Sequence, residues 1–259
     1  MSPLAAKQGE NDMAVIAVYS VKGGVGKTTI AANLAWQSAV VGEKRTLLWD
    51  LDPSGGAAFL FGAEPKPKKK GAVGIFRGKE DAEEMILPSG YWGLDLLPAD
   101  DSLRELEHSL VALGKKKRLA RLAEELSDKY ERIILDCPPV LNEISAQVLR
   151  AADVVIVPLP PSPLSQRALQ SIQKELAANH KQHPPILPVF SMLDARRGLH
   201  KQLRAGMPDW PVIPMSSAIE QVAERQAPLG SFAPNSPGAL AFAELWQAVE
   251  AKLQDRGAA

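Results

Sequence analysis

The chain has 259 residues, 46% of them hydrophobic and 23% charged, and a formal net charge of zero. This describes a globular chain with a sizeable buried core, not a disordered or fibrous one, and the charge balance confines any nucleic-acid contact to a local patch. The single cysteine, Cys137, excludes a disulfide framework and a metal cluster held by repeated C-x-x-C ligands, and sets the expectation of a reducing, cytoplasmic compartment.

Residues 1–12 are polar, carry Glu10 and Asp12, and are expected to form a loose, flexible tail unlike a signal peptide; residues 13–256 are expected to form one domain. No apolar run approaches the roughly 18 residues of a membrane span. Residues 14–19 are apolar throughout, as a central parallel strand covered on both faces is. Lys22-Gly23-Gly24-Val25-Gly26-Lys27-Thr28-Thr29 comes next, and a helical pattern begins at Ile30. Glycines at 23, 24 and 26 let the backbone turn tightly, so that successive N–H groups and the positive end of the next helix point at one anion. Lys27 is then placed to meet β- and γ-phosphates, and the Thr28 hydroxyl to hold Mg²⁺. Val21 stands where the pattern G-x-x-x-x-G-K-[ST] has its first glycine, and an extra lysine, Lys22, comes directly after it. Ile30, Leu34 and Val41 are expected on one face of the helix, which Gly42 ends.

Residues 45–51 read as a second strand running into the turn Asp52-Pro53-Ser54-Gly55-Gly56, with Asp50 and Asp52 on the same side of the strand end. Asp before Pro is also a common turn starter. Lys66-Pro67-Lys68-Lys69-Lys70 is a proline-broken cationic loop, read as a solvated connector with contact to an anionic partner as the alternative. Residues 74–88 hold a short amphipathic element without chemistry, and residues 94–97 a brief strand. Leu103, Leu106, Leu110 and Leu113, then Leu119, Leu122 and Leu126, recur at helical spacing and are expected in the core; His108 between them is expected to be exposed. Residues 132–136 form an apolar strand that carries Asp136 to its carboxyl end, where ligands of open α/β sheets collect, so that Asp136 would hold Mg²⁺ through water. Cys137 fits beside it as a small buried hydrophobe.

Residues 153–159 are the next buried strand, and a proline-rich turn then starts a helix running to about residue 180. Residues 186–192 are another strand, after which a short helix carries Arg197, Lys201 and Arg204 on one face. With Arg196 they form a candidate DNA contact, the alternative being an ordinary solvated helix face. Residues 212–214 read as an edge strand. Residues 239–253 form a last helix with Leu240, Phe242, Leu245, Trp246 and Val249 apolar. Residues 254–259 are too few and too polar for a cationic membrane anchor, so no membrane partner is expected. The alternation of strands and helices predicts an α/β fold, a doubly wound, mostly parallel sheet flanked by helices with its ligand at the carboxyl edge.

K-G-G-V-G-K-T-T resembles the deviant Walker A motif of the ParA/MinD family, D-L-D-P from Asp50 its Walker A′ motif, and D-C-P-P from Asp136 its D-x-P-P form of Walker B. The resemblance implies a P-loop NTPase of SIMIBI type that hydrolyses ATP with Mg²⁺. It implies residues 23–29 (Gly23, Gly24, Val25, Gly26, Lys27, Thr28, Thr29) around the phosphates and Met192 and Pro214 beside the adenine. Thr28, Asp50 and Asp136 would lie at Mg²⁺, and Asp52 would orient or activate the attacking water. Lys22 is implied to reach the phosphates of a partner subunit, like an arginine finger supplied in trans, so that ATP joins two copies. Family likeness also implies non-specific DNA contact by the basic region and a ParB-like or cargo-adaptor protein that stimulates hydrolysis, to segregate a chromosome, plasmid or protein cargo. The alternative within the family is an ATPase that regulates a polar or secretion assembly through a protein partner without DNA. The sequence departs from the family in Ser54, where members often have glutamine, in the absence of a glutamate from the turn at 158–163, and in Met215, where some members have a further arginine. A metabolic ligase on the same fold would need its own polar substrate constellation, and none is legible.

Overall fold

The computed structural model describes residues 13–65, 71–114, 117–140, 142–179 and 183–257; the N-terminal tail and the cationic loop at 66–70 lie outside the described residues. In chain order, β1 (Ala14–Val18) leads through the glycine loop to α1 (Lys27–Trp36), which runs on into a π-helical turn (Gln37–Val41) before β2 (Thr46–Asp50). Two single-turn helices, α2 (Gly56–Leu60) and α3 (Val73–Arg77), precede β3 (Leu87–Pro88) and β4 (Leu94–Leu97). The helices α4 (Leu106–Leu113) and α5 (Arg118–Glu125) then lead to β5 (Arg132–Asp136), α6 (Glu143–Ala151), β6 (Val154–Leu159), α7 (Pro163–Asn179) and β7 (Ile186–Leu193). The chain closes with α8 (Gly198–Gly206), β8 (Val212–Pro214), α9 (Ser217–Arg225), α10 (Leu229–Phe232) and α11 (Pro237–Gly257).

The eight strands lie in the order β3-β4-β2-β5-β1-β6-β7-β8. Every pairing is parallel except that of β3 with β4. Strand alternation splits the core into two layers. Val15, Ala17, Leu47, Trp49, Ile133 and Leu135 pack on one side with leucines of α4 and α5, including Leu106, Leu110, Leu119 and Leu122. Ile16, Val18, Leu48 and Ile134 pack on the other with α1 and α11, through Ile30, Leu34, Phe242 and Leu245. Both faces of β1 and β5 are therefore covered, which is why their sequences are apolar runs without polar alternation.

The mostly parallel sheet, its edge strand β8 and the buried Leu103, Leu106, Leu110, Leu119, Leu122 and Leu126 match the sequence expectation, with the side chain of Leu113 outside what is described, and His108 is exposed as expected. Three details differ. The antiparallel strand β3 is only two residues long and ends in Pro88, too short for any period to register. Val41 is not on the buried face of α1 but 58% exposed, because the π turn inserts an extra residue into the helical repeat and rotates the residues beyond it. The turn buries Gln37, Ser38 and Ala39 instead, and Ser38 Oγ shares a 2.7 Å hydrogen bond with Thr46 Oγ1 on β2. Leu240 faces solvent in the first turn of α11.

Candidate active site

The loop between β1 and α1 is built by glycine geometry. Gly24 and Gly26 have φ of 70° and 85°. Gly26 is the residue before α1 and caps it in a left-handed conformation without any side chain, so no N-cap side chain occupies the first N–H groups of the helix. A residue with a side chain would be strained at Gly26. Lys27 is buried, and its ammonium donates to the Lys22 carbonyl at 3.2 Å. Burial pulls its pKa down, and the nearby carboxylates of Asp136 and Asp52 oppose that shift. Lys22 itself reaches sideways, its ammonium 3.5 Å from Ser165 Oγ in the first turn of α7.

The parallel register of β2 and β5 places Asp50 opposite Asp136, both at the carboxyl edge and both buried. Asp50 accepts the Asp52 N–H at 2.9 Å and the Ala57 N–H at 3.0 Å, so each oxygen is already engaged by the turn that leads into α2. Burial nonetheless pushes its pKa up to about 7, against those two hydrogen bonds and with the help of the Asp52 charge. Asp136 is raised well above the usual carboxylate range, first by burial and then by Asp50. Both of its oxygens are buried without a hydrogen-bond partner among the described residues. Thr28 faces this carboxyl closely enough to lower its pKa, but short of the geometry that would satisfy either oxygen. Asp52 is half-buried, and its Oδ1 accepts both the N–H and the hydroxyl of Ser54, at 3.0 and 2.9 Å. A side chain at Gly56 would meet Thr28 Cγ2 at 3.1 Å, so the aspartate turn closes directly on the phosphate loop.

Mg²⁺ fits this arrangement. An orphaned buried carboxylate beside a threonine hydroxyl is a hard oxygen donor set awaiting a cation. Among the described residues no group of three ligating His, Cys, Asp or Glu side chains converges, which suits an ion that takes its remaining ligands from phosphate and water. Asp136 and Thr28 would hold it, and Asp50, with its oxygens engaged, would fix the turn beside it. In the metal-free form the folded chain keeps the Asp50 proton that the unfolded chain releases, so stability is lost as pH rises from 3.8 towards 7. Melting curves in chelator are expected to shift downwards between about pH 5 and pH 8, and Mg²⁺ with a bound ATP analogue to flatten that slope. Asp136→Asn should raise the Mg²⁺ concentration needed by at least about tenfold. A slope of opposite sign in the metal-free protein would contradict the assignment.

The other residues singled out in the sequence divide. Met192, at φ 55°, comes to the same edge, its methyl 3.7 Å from where a Cβ at Gly26 would stand. Pro214 pairs with Leu193 across β7 and β8, next to it. The basic stripe is less uniform. Arg196 makes a two-pronged contact with Asp194, at 2.9 and 3.0 Å, and holds that carboxyl down to about 2. Arg204 turns inward to donate to the carbonyls of Met207 and Trp210, at 3.0 and 2.6 Å, closing the turn after α8. Arg197 and Lys201 are exposed. Helical spacing could not reveal this, because the carbonyls that recruit Arg204 belong to the turn beyond the helix.

Sheet, phosphate loop and edge carboxylates define a Mg²⁺-dependent P-loop ATPase. A family model described as an AAA domain matches residues 13–188. The chain is 30% identical to the sporulation initiation inhibitor protein Soj of Bacillus subtilis, over 92% of this chain and 98% of that protein. It is 32% identical to the chromosome-partitioning ATPase Soj of Thermus thermophilus, over 93% and 96%. Among solved structures, cobyrinic acid a,c-diamide synthase from Mycobacterium smegmatis with an ATP analogue and magnesium is 26% identical. It superposes with a TM-score of 0.77 over 92% of this chain and 94% of that one. A plasmid partition protein of Borrelia burgdorferi bound to AMPPNP shares the fold at 20% identity, with a TM-score of 0.78 over 94% and 99%. The chain belongs to the ParA/MinD/Soj family of deviant Walker A ATPases. It binds ATP and Mg²⁺ and hydrolyses ATP. Among the described residues no helix is long and apolar enough to cross a membrane.

Proposed function

We propose that the chain is a positioning ATPase whose nucleotide cycle is read by a protein partner, with two copies joined by ATP and separated on hydrolysis. Within each copy Lys27 and the N–H groups of residues 23–29 bind the phosphates, Met192 and Pro214 flank the base, and Thr28 and Asp136 hold the metal. Bound Mg²⁺ neutralises charge on the β- and γ-phosphates. Asp52 orients the attacking water, its other oxygen fixed by Ser54, while Asp50 holds the turn in place through two backbone N–H groups. Lys22 supplies a positive charge across the interface, where charge spreads over the γ-phosphate oxygens.

A protein reader is favoured over DNA by one observation: of the four cations in and before α8, Arg204 is turned inward onto backbone carbonyls and Arg196, though exposed, has its charge paired two-pronged with Asp194. That leaves Arg197 and Lys201 as the exposed cations not offset by a neighbouring carboxylate, a weak electrostatic footprint for a phosphate backbone. The names of the Soj relatives support DNA tethering as the second reading, and co-sedimentation separates the two. The Asp52→Ala variant, held with ATP, is expected to stay off DNA at moderate salt. Retention with ATP but not ADP, lost when Arg197 and Lys201 become alanine and with a salt slope reduced by about two, would establish the DNA reading. Turnover without any acid or amine acceptor separates either reading from the diamide synthase chemistry on the same fold.

A further inference from the structure

In the phosphate loop the two lysines are linked in series: Lys27 donates to the Lys22 carbonyl, and Lys22 in turn reaches Ser165 Oγ at 3.5 Å. Ser165 is buried, in the first turn of α7. Its hydroxyl lies 2.9 Å from Ser162 Oγ, which also accepts the Ser165 N–H at 3.2 Å. With Lys22 donating to Ser165 Oγ, the Ser165 proton is directed to Ser162, so the pair presents a neutral acceptor to the ammonium. The seat is electrostatically poor. It stands at the N-terminus of a 17-residue helix, whose positive end disfavours a cation, and it offers a hydroxyl where a phosphate would offer an anionic oxygen.

We propose that Ser165, oriented by Ser162, is a positioning residue that holds Lys22 within its own subunit and thereby sets the ATP concentration at which two copies join. It rests on the reading that Lys22 acts across the interface. Phosphate entering the loop draws Lys27 away from the Lys22 carbonyl. That removes one tether on the segment between the two lysines, and the Lys22 ammonium then exchanges the serine hydroxyl for a phosphate oxygen of the partner's nucleotide. Only hydrogen bonds change hands. The weakness of the hydroxyl seat is what permits the exchange, and its presence keeps an unpaired copy from presenting Lys22 prematurely.

The test measures, by sedimentation velocity, the AMPPNP concentration that gives half-maximal dimer for the full chain, alongside ADP affinity as a readout of the monomer site. Ser165→Ala is expected to lower the AMPPNP midpoint about two- to fivefold. Ser165→Asp, which gives Lys22 an anionic partner and suits the helix N-terminus, is expected to raise it at least tenfold. ADP affinity should stay within twofold in both. Shifts of the same sign in the two variants, or an ADP affinity that moves with them, would show a packing role and overturn the inference. Lys22→Ala separates the two layers of the proposal. If it joins at the wild-type midpoint, the trans role of Lys22 falls and the serine seat with it; if it fails to join while both serine variants behave as wild type, the seat alone falls.

Discussion

Lys27→Ala is expected to lower ATP affinity by two to four orders of magnitude. Among the described residues the ammonium is buried, donates to the Lys22 carbonyl, and faces Asp136 and Asp52. Burial already weakens its hold on the proton, so the charged form gains when an anion arrives. Two charge-assisted hydrogen bonds to phosphate, each contributing about 1.5–3 kcal/mol, give about 3–6 kcal/mol, which corresponds to that range of affinity. Equilibrium binding of a fluorescent ATP analogue measures it directly. The variant must melt as cooperatively as the parent, since removing the cation leaves Asp136 without its nearest positive neighbour. A well-folded Lys27→Ala protein that binds ATP within tenfold of wild type would take the phosphate site away from this loop.

Asp52→Ala is expected to reduce steady-state hydrolysis about 10²- to 10⁴-fold, the range for loss of a group that orients or deprotonates the nucleophile. AMPPNP affinity should change little, because Asp52 lies half-buried beyond the loop and the buried carboxyl proposed to hold the metal is that of Asp136. The variant therefore separates turnover from binding, and ATP should hold it in the paired form. A second readout is independent of activity. Asp52 is one of the charges that raise Asp50 above the usual range, so its removal lowers the Asp50 pKa from about 7 and shrinks the pH-dependent loss of stability in the metal-free protein. Ser54→Ala is milder, since the Asp52 carboxylate keeps the Ser54 N–H and loses only the hydroxyl. Hydrolysis by Asp52→Ala at the parent rate would remove Asp52 from the chemistry.

The phosphate loop and the two aspartate strands were legible because local rules fix them: glycines where φ must be positive, apolar runs where both faces are covered, carboxylates at strand ends. What the sequence concealed is non-local. The Lys22–Ser165 contact joins positions 143 residues apart, and nothing in the spacing of either residue announces it. Asp50 reads as a carboxylate at Mg²⁺, and the spacing does not show that each of its oxygens also accepts an N–H of the segment after it. Arg204 reads as one of three outward cations, whereas the carbonyls of Met207 and Trp210 recruit it inward. The misplacement of Val41 has a different origin. A helix period assumes an unbroken ladder, and one π turn shifts the phase of every later residue in the helix.

The back of α1 has a further consequence. The family model stops at residue 188, yet α1 is covered by segments later in the chain. Asn33 Oδ1 accepts the Leu229 N–H at 2.8 Å, Trp36 lies against Gly230, and Phe242, Leu245 and Trp246 join Ile30 and Leu34 in one apolar layer. The boundary drawn by sequence similarity is thus not a boundary of folding autonomy. Residues 13–188 contain the nucleotide chemistry, but the helix that carries Lys27 and Thr28 would present a bare hydrophobic flank without the last quarter or so of the chain. The C-terminal segment is the other half of the phosphate loop's foundation, and a truncated hydrolase ending at the family border is not a smaller version of this enzyme.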